Sequence, residues 1–283
     1  MLIVRYAVAN ETFVGLQDGD TVRRFPHVSL AELLRLPADA FRAEVERVAA
    51  EGLVENREIR LLPPVDERTE VWAAGVTYER SSEARQEESV VADVYSRVYD
   101  APRPELFFKS VAWRVAGTGD PIGIRDDSEI DVPEPEVALV VNAGGEIVGY
   151  TVCDDVSSRS IEGENPLYLP QAKVYAGCCA LGPGIRPSWE IPDPYALVID
   201  VSVLRDGARV WEGSTSTKML HRRFDDLVSF LTRQLDFPDG AVLSTGTGLV
   251  PGLDFTLTTG DTVTVTVDGV GVLSNPVTAA LTR

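Results

Sequence analysis

Apolar and polar residues alternate in short runs along most of the chain, and where the period lengthens the pattern predicts helices. Two alternating stretches flank Asp18-Gly19-Asp20 and predict a pair of short strands. Ser29 precedes an apolar-rich run at 30–35 and is placed to N-cap it. Over 38–50, Phe41, Val45 and Val48 recur at helical spacing with charges between them, which predicts an amphipathic helix. Pro63-Pro64 closes this unit, so residues 1–70 are expected to form a small N-terminal α+β domain. From Val71 onward, strand-like runs punctuated by Gly and Pro dominate, as at 241–244 and 262–267, with one further helix expected near 225–234. Residues 71–283 are therefore expected to form a second, mainly β domain. The polar stretch 78–100 suits a mobile helix or lid over a site, and equally an ordinary solvated helix.

One segment combines a strand pattern with unusual chemistry. Val132-Pro-Glu134-Pro-Glu136 runs into an apolar stretch to Val141, Gly144-Gly145 follows, and a second β-rich arm ends in Cys153-Asp154-Asp155. Gly-Gly suits a two-residue hairpin turn, because both residues can adopt positive φ. If Ala143 faces Glu146, opposed residue numbers sum to 289, so Glu136 faces Cys153 and Glu134 faces Asp155. Opposed side chains share a face, which puts Glu134, Glu136 and Asp155 on one side of the ribbon. A one-residue bulge would bring in Asp154 instead. Three carboxylates so placed repel one another unless a hard cation takes their oxygens, Mg2+ foremost with Mn2+ or Ca2+ as alternatives. The bland alternative is a solvent-facing acidic strand end. Pro133 and Pro135 deny ladder donors and mark a sheet edge or a strand start.

Composition narrows the function classes. The 283 residues carry a formal charge of -18, which disfavours nucleic acid or an anionic membrane as partner. No apolar run is long enough to span a bilayer and the N-terminus lacks a signal-peptide pattern, so a cytoplasmic protein is expected. Three cysteines, two of them adjacent, form neither a zinc motif nor a disulfide framework. The glycines around Thr247 build no phosphate loop and no nucleotide fingerprint occurs, so no nucleotide or organic cofactor is expected. Only three lysines, Lys109, Lys173 and Lys218, stand against 23 arginines.

The Glu134-Pro-Glu136 pair and Asp155-Val-Ser-Ser-Arg159 together resemble the metal motif of the fumarylacetoacetate hydrolase family. Further landmarks recur in family order, among them Gly75-Val-Thr-Tyr78, Pro104-Glu-Leu-Phe-Phe-Lys109, Thr245-Gly-Thr247 and Gly269-Val-Gly-Val-Leu-Ser-Asn275. The match spans about residues 71–283. It implies an α+β, mainly β fold, a mixed β-sheet roll with a small N-terminal domain, and a homodimer or homotetramer. Ile161-Glu-Gly-Glu-Asn-Pro-Leu-Tyr-Leu-Pro-Gln-Ala-Lys173 resembles the branch that dehydrates 2-keto-3-deoxy pentonates to 2,5-dioxopentanoate.

That resemblance implies a small-molecule 2-oxo acid substrate, with the cation as Lewis acid for loss of a C3 proton. Lys173 and Glu105 are the expected acid-base pair, without an assignment of which is the base. Salt bridging is the plain alternative for each, Glu105 with Lys109 or Arg103. Arg159, Thr247, Gln171 and Tyr78 are implied substrate contacts, with structural hydrogen bonding as their alternative role. Ser81 stands where hydrolases of the family carry a water-activating histidine, and the only histidines are His27 and His221. Glu162 and Ala176 also depart from common family residues. Two competing readings remain: a C–C hydrolase or decarboxylase acting on an acylpyruvate or oxaloacetate, and a non-enzymatic acidic metal-binding β-protein.

Overall fold

The structure, a computed structural model, describes residues 1–26, 29–81 and 97–279. His27 and most of the stretch read as a lid or solvated helix, residues 82–96, lie outside the described residues. The strands in chain order are β1 Leu2–Val8, β2 Glu11–Asp18, β3 Thr21–Arg24, β4 Leu53–Glu55, β5 Arg60–Leu62, β6 Glu70–Gly75 and β7 Glu105–Val111. Then follow β8 Ile122–Ile124, β9 Asp131–Val132, β10 Pro135–Val141, β11 Ile147–Asp155, β12 Ser157–Ser158 and β13 Cys179–Pro187. The last are β14 Val198–Arg205, β15 Ala208–Ser216, β16 Ala241–Ser244, β17 Thr262–Val267 and β18 Gly271–Ala279.

One large sheet runs β4-β3-β2-β1-β13-β11-β10-β16-β6-β7, with β5 also on β1, and a second runs β15-β14-β17-β18-β8. Pairing is mostly antiparallel, with β16–β6 and β18–β8 parallel, so the sheets are mixed. The expected boundary at residues 70 and 71 falls at the start of β6, while β1 pairs β13 through Ile3↔Ile185 and joins the N-terminal strands to the same sheet.

The centre of that sheet explains the apolar run 137–141. Val137, Leu139 and Val141 face the second sheet and helix Phe224–Leu231. Ala138 and Val140 face the opposite way, toward Phe41, Val45 and Val48 of helix Ala38–Glu51. A strand covered on both faces reads as a continuous hydrophobic run rather than an alternating one. Phe41 is fully buried, and its truncation to Ala would cost about 3–5 kcal/mol. The edge position suggested by Pro133 and Pro135 is not found: β10 lies between β11 and β16, and Pro135 opens it.

Local signals shaped the shorter elements. Ser29 Oγ accepts the Glu32 amide at 3.2 Å and the Ser29 amide donates to Glu32 Oε2 at 3.0 Å, a reciprocal cap for helix Leu30–Leu34. Gly19, at φ +57°, turns β2 into β3. Among the described residues no helix is long and apolar enough to cross a membrane.

Candidate metal and acid-base site

The β10–β11 ladder pairs Pro135 with Asp154 and Glu136 with Cys153. The Asp155 amide donates to the Glu134 carbonyl at 2.9 Å, so these two residues face each other as the register arithmetic predicts. The route to that register differs from the two-residue turn. Asn142 pairs with Glu146 across a three-residue loop, in which Gly145 takes φ +78°. The Asn142 side-chain oxygen accepts the Gly144 and Glu146 amides at 3.0 and 2.8 Å. This loop shifts the pairing by one residue, and an irregularity at Val140/Val141, where Val148 is left over, shifts it back.

Glu134, Glu136 and Asp155 are all buried, with one oxygen of each within 4.8 Å of the others. Asp154 stands apart from this group: its Oδ1 accepts the Glu134 amide at 3.1 Å, and burial lifts its pKa to about 7. Burial, followed by the charges of Asp155 and Glu134, pushes the Glu136 carboxyl well above the usual carboxylate range, partly offset by Ser244 and Lys173. Glu136 Oε2 accepts the Ser244 hydroxyl and, at 2.7 Å, the Gly246 amide. Gly246 needs φ +90°, and a Cβ there would lie 2.0 Å from Thr77 Oγ1, so glycine alone lets the backbone donate to Glu136. Val76, in the cavity lining, also holds a positive φ of 53°, a strained geometry for a β-branched residue.

Two lysines balance the carboxylates. Lys173 ends helix Leu169–Lys173; its Nζ ion-pairs with Glu134, lies 3.3 Å from Asp155 Oδ2 and donates to Ser157 Oγ at 2.6 Å. Lys109, not singled out as a site residue from the sequence, ion-pairs with Asp155 Oδ1 from a fully buried position. Burial works against its charge, but Asp155 prevails and holds the Lys109 pKa well above the ordinary lysine value. The signal available was rarity: two of the three lysines in an arginine-rich chain converge here.

The other expected residues divide. Thr247 is buried in the cavity lining, its hydroxyl engaged by the Leu249 amide at 3.1 Å. Glu105 opposes Gly75, itself in the lining, and a Cβ on Gly75 would meet Glu105 Oε2 at 2.1 Å. Of the ion-pair partners considered for Glu105, Lys109 goes to Asp155, and Arg103 stacks on Phe230. Arg159 is buried and donates to the Pro251 carbonyl, which ties down the loop after Thr247 rather than lining the cavity. Tyr78 is buried beside Gly248, its hydroxyl without a partner among the described residues; burial and then the Glu136 charge raise its pKa. Gln171 is exposed and outside the lining, its carbonyl taken by Arg125 at 3.1 Å. Ser81 lines the cavity with its hydroxyl on the Tyr78 carbonyl at 2.7 Å. Cys153, opposite Glu136, is fully buried.

Buried oxygens of like charge converging on one point, beside a cavity of about 10 Å3, fit a hard divalent cation. Glu134, Glu136 and Asp155 would hold it, with Lys173 alongside.

A family model described as "Fumarylacetoacetate (FAA) hydrolase C-terminal" matches residues 70–278. The chain is 49% identical over 258 residues to a "Probable 2-keto-3-deoxyxylonate dehydratase" of Haloferax volcanii, covering 88% of each chain. It is 46% identical over 224 residues to the "2-dehydro-3-deoxy-D-arabinonate dehydratase" of Saccharolobus solfataricus, covering 78% of this chain and 75% of the relative. A solved structure, "2-keto-3-deoxy-D-arabinonate dehydratase complexed with magnesium and 2,5-dioxopentanoate", superposes with a TM-score of 0.85 at 36% identity over 99% of both chains.

Proposed function

This chain belongs to the fumarylacetoacetate (FAA) hydrolase family, and from that premise we propose that it is a hydro-lyase converting a 2-keto-3-deoxy pentonate to 2,5-dioxopentanoate. The observation that carries the reading is the buried triad of Glu134, Glu136 and Asp155 with the Lys173 ammonium among its oxygens. The triad holds Mg2+, with Mn2+ and Ca2+ as hard-cation substitutes. When bound, the cation supplies Lewis-acid stabilisation of the negative charge that develops on the 2-oxo acid.

The chain's own groups move the protons. Lys173 and Glu105 share the removal of a C3 proton and the delivery of a proton to the departing C4 hydroxyl, so one water leaves. The resulting C3=C4 bond shifts to C4=C5 by proton transfer from C5 to C3, and the enol so formed gives up its hydroxyl proton as C4 gains one, which leaves a terminal aldehyde and calls for no redox cofactor. Thr247 takes the substrate carboxylate, and Arg159, through Pro251, steadies the loop that presents Thr247. Tyr78 backs the Glu136 side of the site. Gln171, exposed and outside the lining, has no part in this reading. A homodimer or homotetramer in the cytoplasm completes it, supported by family resemblance and by three free buried cysteines.

Purified protein with Mg2+ is to be incubated with each 2-keto-3-deoxy pentonate isomer and followed by NMR. Appearance of 2,5-dioxopentanoate is expected; no product from any isomer rejects the reading. Release of pyruvate or carbon dioxide from acylpyruvates or oxaloacetate would favour the hydrolase or decarboxylase. That outcome is disfavoured by Ser81, whose hydroxyl is committed to the Tyr78 backbone.

A further inference from the structure

We propose that Lys109 is a positioning residue for this reaction: from a β-bulge, its ammonium sets where Lys173 stands relative to Asp155. The inference rests on the lyase reading for the role of Lys173, while the geometry stands by itself.

In the β6–β7 ladder Val71 faces Ser110 and Trp72 faces Phe108, so Lys109 is the unopposed residue of a bulge. Bulges beside active sites re-aim a side chain that regular pleating would send elsewhere. Here the re-aimed Nζ reaches three acceptors: Asp155 Oδ1, the Val156 carbonyl at 3.1 Å and the Lys173 carbonyl at 2.6 Å. Two of its three donor protons go to these backbone carbonyls and its charge pairs with Asp155 Oδ1, so the ammonium is committed to the two segments that carry the acid-base and metal-facing groups. Helix Leu169–Lys173 is little over one turn, and its terminal carbonyls lack helical partners. Lys109 supplies a buried cation to the last of them, the end where a positive charge is favoured. Asp155 is thereby divided, with Oδ1 toward Lys109 and Oδ2 toward Lys173 at 3.3 Å.

Lys109 does not line the cavity, so it acts through its neighbours rather than on substrate. A purely structural filler would be better served by an apolar side chain, since burying an ammonium is costly and its replacement by a packed hydrophobe is often neutral or stabilising. Arginine, which the chain uses almost everywhere else, is a planar fork that cannot bring one compact ammonium to these three oxygens.

The test compares wild type with Lys109→Met and Lys109→Arg at saturating Mg2+, corrected for folded fraction by circular dichroism. Lys109→Met is expected to lower kcat at least tenfold with KM within threefold, while calorimetric Mg2+ binding without substrate is not weakened, because a positive charge has left. A kcat within twofold of wild type overturns the proposal. So does a tenfold parallel loss of kcat and Mg2+ affinity, which would make Lys109 a builder of the cation site instead. If Lys109→Met fails to fold, Lys109→Arg decides, and wild-type kcat in it overturns the proposal. With only three lysines, 13Cε-lysine labelling gives three NMR signals, and exposed Lys218 serves as control. The Lys173 signal should move in Lys109→Arg and Lys109→Met, and an unmoved signal overturns positioning. This readout holds even if wild type is inert toward every pentonate, an outcome that would reject the lyase reading alone.

Discussion

Replacing Glu136 by Gln removes one of three buried negative charges while nearly preserving shape. Oxygens of Glu136, Glu134 and Asp155 lie within 4.8 Å of one another, and at an effective dielectric near 20 each like-charge pair costs about 3–4 kcal/mol. Lys173 and Lys109 offset part of this, and the Ser244 and Gly246 hydrogen bonds weaken on losing a charged acceptor, by about 1–2 kcal/mol. The balance favours the variant by about 1–3 kcal/mol in EDTA, or a Tm higher by about 2–4 °C for each kcal/mol. The sign is pH-dependent. Glu136 has a folded-state pKa above its unfolded one, so its ionisation removes stability as pH rises between the two. The advantage of Glu136→Gln should therefore widen from acid to alkaline pH. In excess Mg2+ the order reverses, because wild type gains about 4.1 kcal/mol at a thousandfold excess over Kd and the variant gains little. Dehydratase turnover should vanish. Calorimetric melting in EDTA and in Mg2+ at two pH values checks all of this. A variant less stable than wild type in EDTA would refute the repulsion argument and make Glu136 a structural acceptor for Ser244 and Gly246.

Two further outcomes follow from the same geometry. Gly246→Ala forces a Cβ against Thr77 Oγ1 and leaves the amide displaced from Glu136. It should lower kcat at least tenfold and cost about 1–3 kcal/mol, whereas Tm and turnover both unchanged would show the turn to be tolerant. Asp154, with its pKa raised to about 7 by burial, destabilises the fold as pH climbs from about 4 to 7. Asp154→Asn should flatten that pH dependence and stabilise at pH 8 by an amount on the order of 2–4 kcal/mol, and a stability profile parallel to wild type would contradict the shift.

Much of this was legible in the sequence because local signals and tertiary structure agree. Ser29, Phe41, Val45 and Val48 announced their helices through capping and periodicity, and 241–244 and 262–267 became the strands their β-branched residues suggested. The carboxylate triad was legible because alternation along paired strands is a rigid rule. Its register came out as predicted for an incomplete reason: Asn142 builds a longer turn than Gly-Gly suggested, and Val148 compensates. What escaped depends on distant partners. Nothing near Lys109 in the chain reveals that a bulge aims it at Asp155, and nothing near Pro135 tells that β16 arrives from about a hundred residues away to make β10 central. The motif around Gln171 suggested a substrate contact, yet the helix turn that buries Lys173 leaves Gln171 facing solvent.

The loop after Asn142 and the leftover Val148 together act as a vernier: one displaces the two arms, the other restores them. The tip can change length by itself: with one loop residue removed, Asn142 still faces Glu146 across a two-residue turn, and Glu134 stays opposite Asp155. A residue gained or lost between Gly149 and Cys153 has no such buffer and would turn Asp155 to the other face of the ribbon from Glu134 and Glu136. Length changes in this hairpin are thus expected at its tip, the far end of the strands from the chemistry, and not along the arm that carries Asp155.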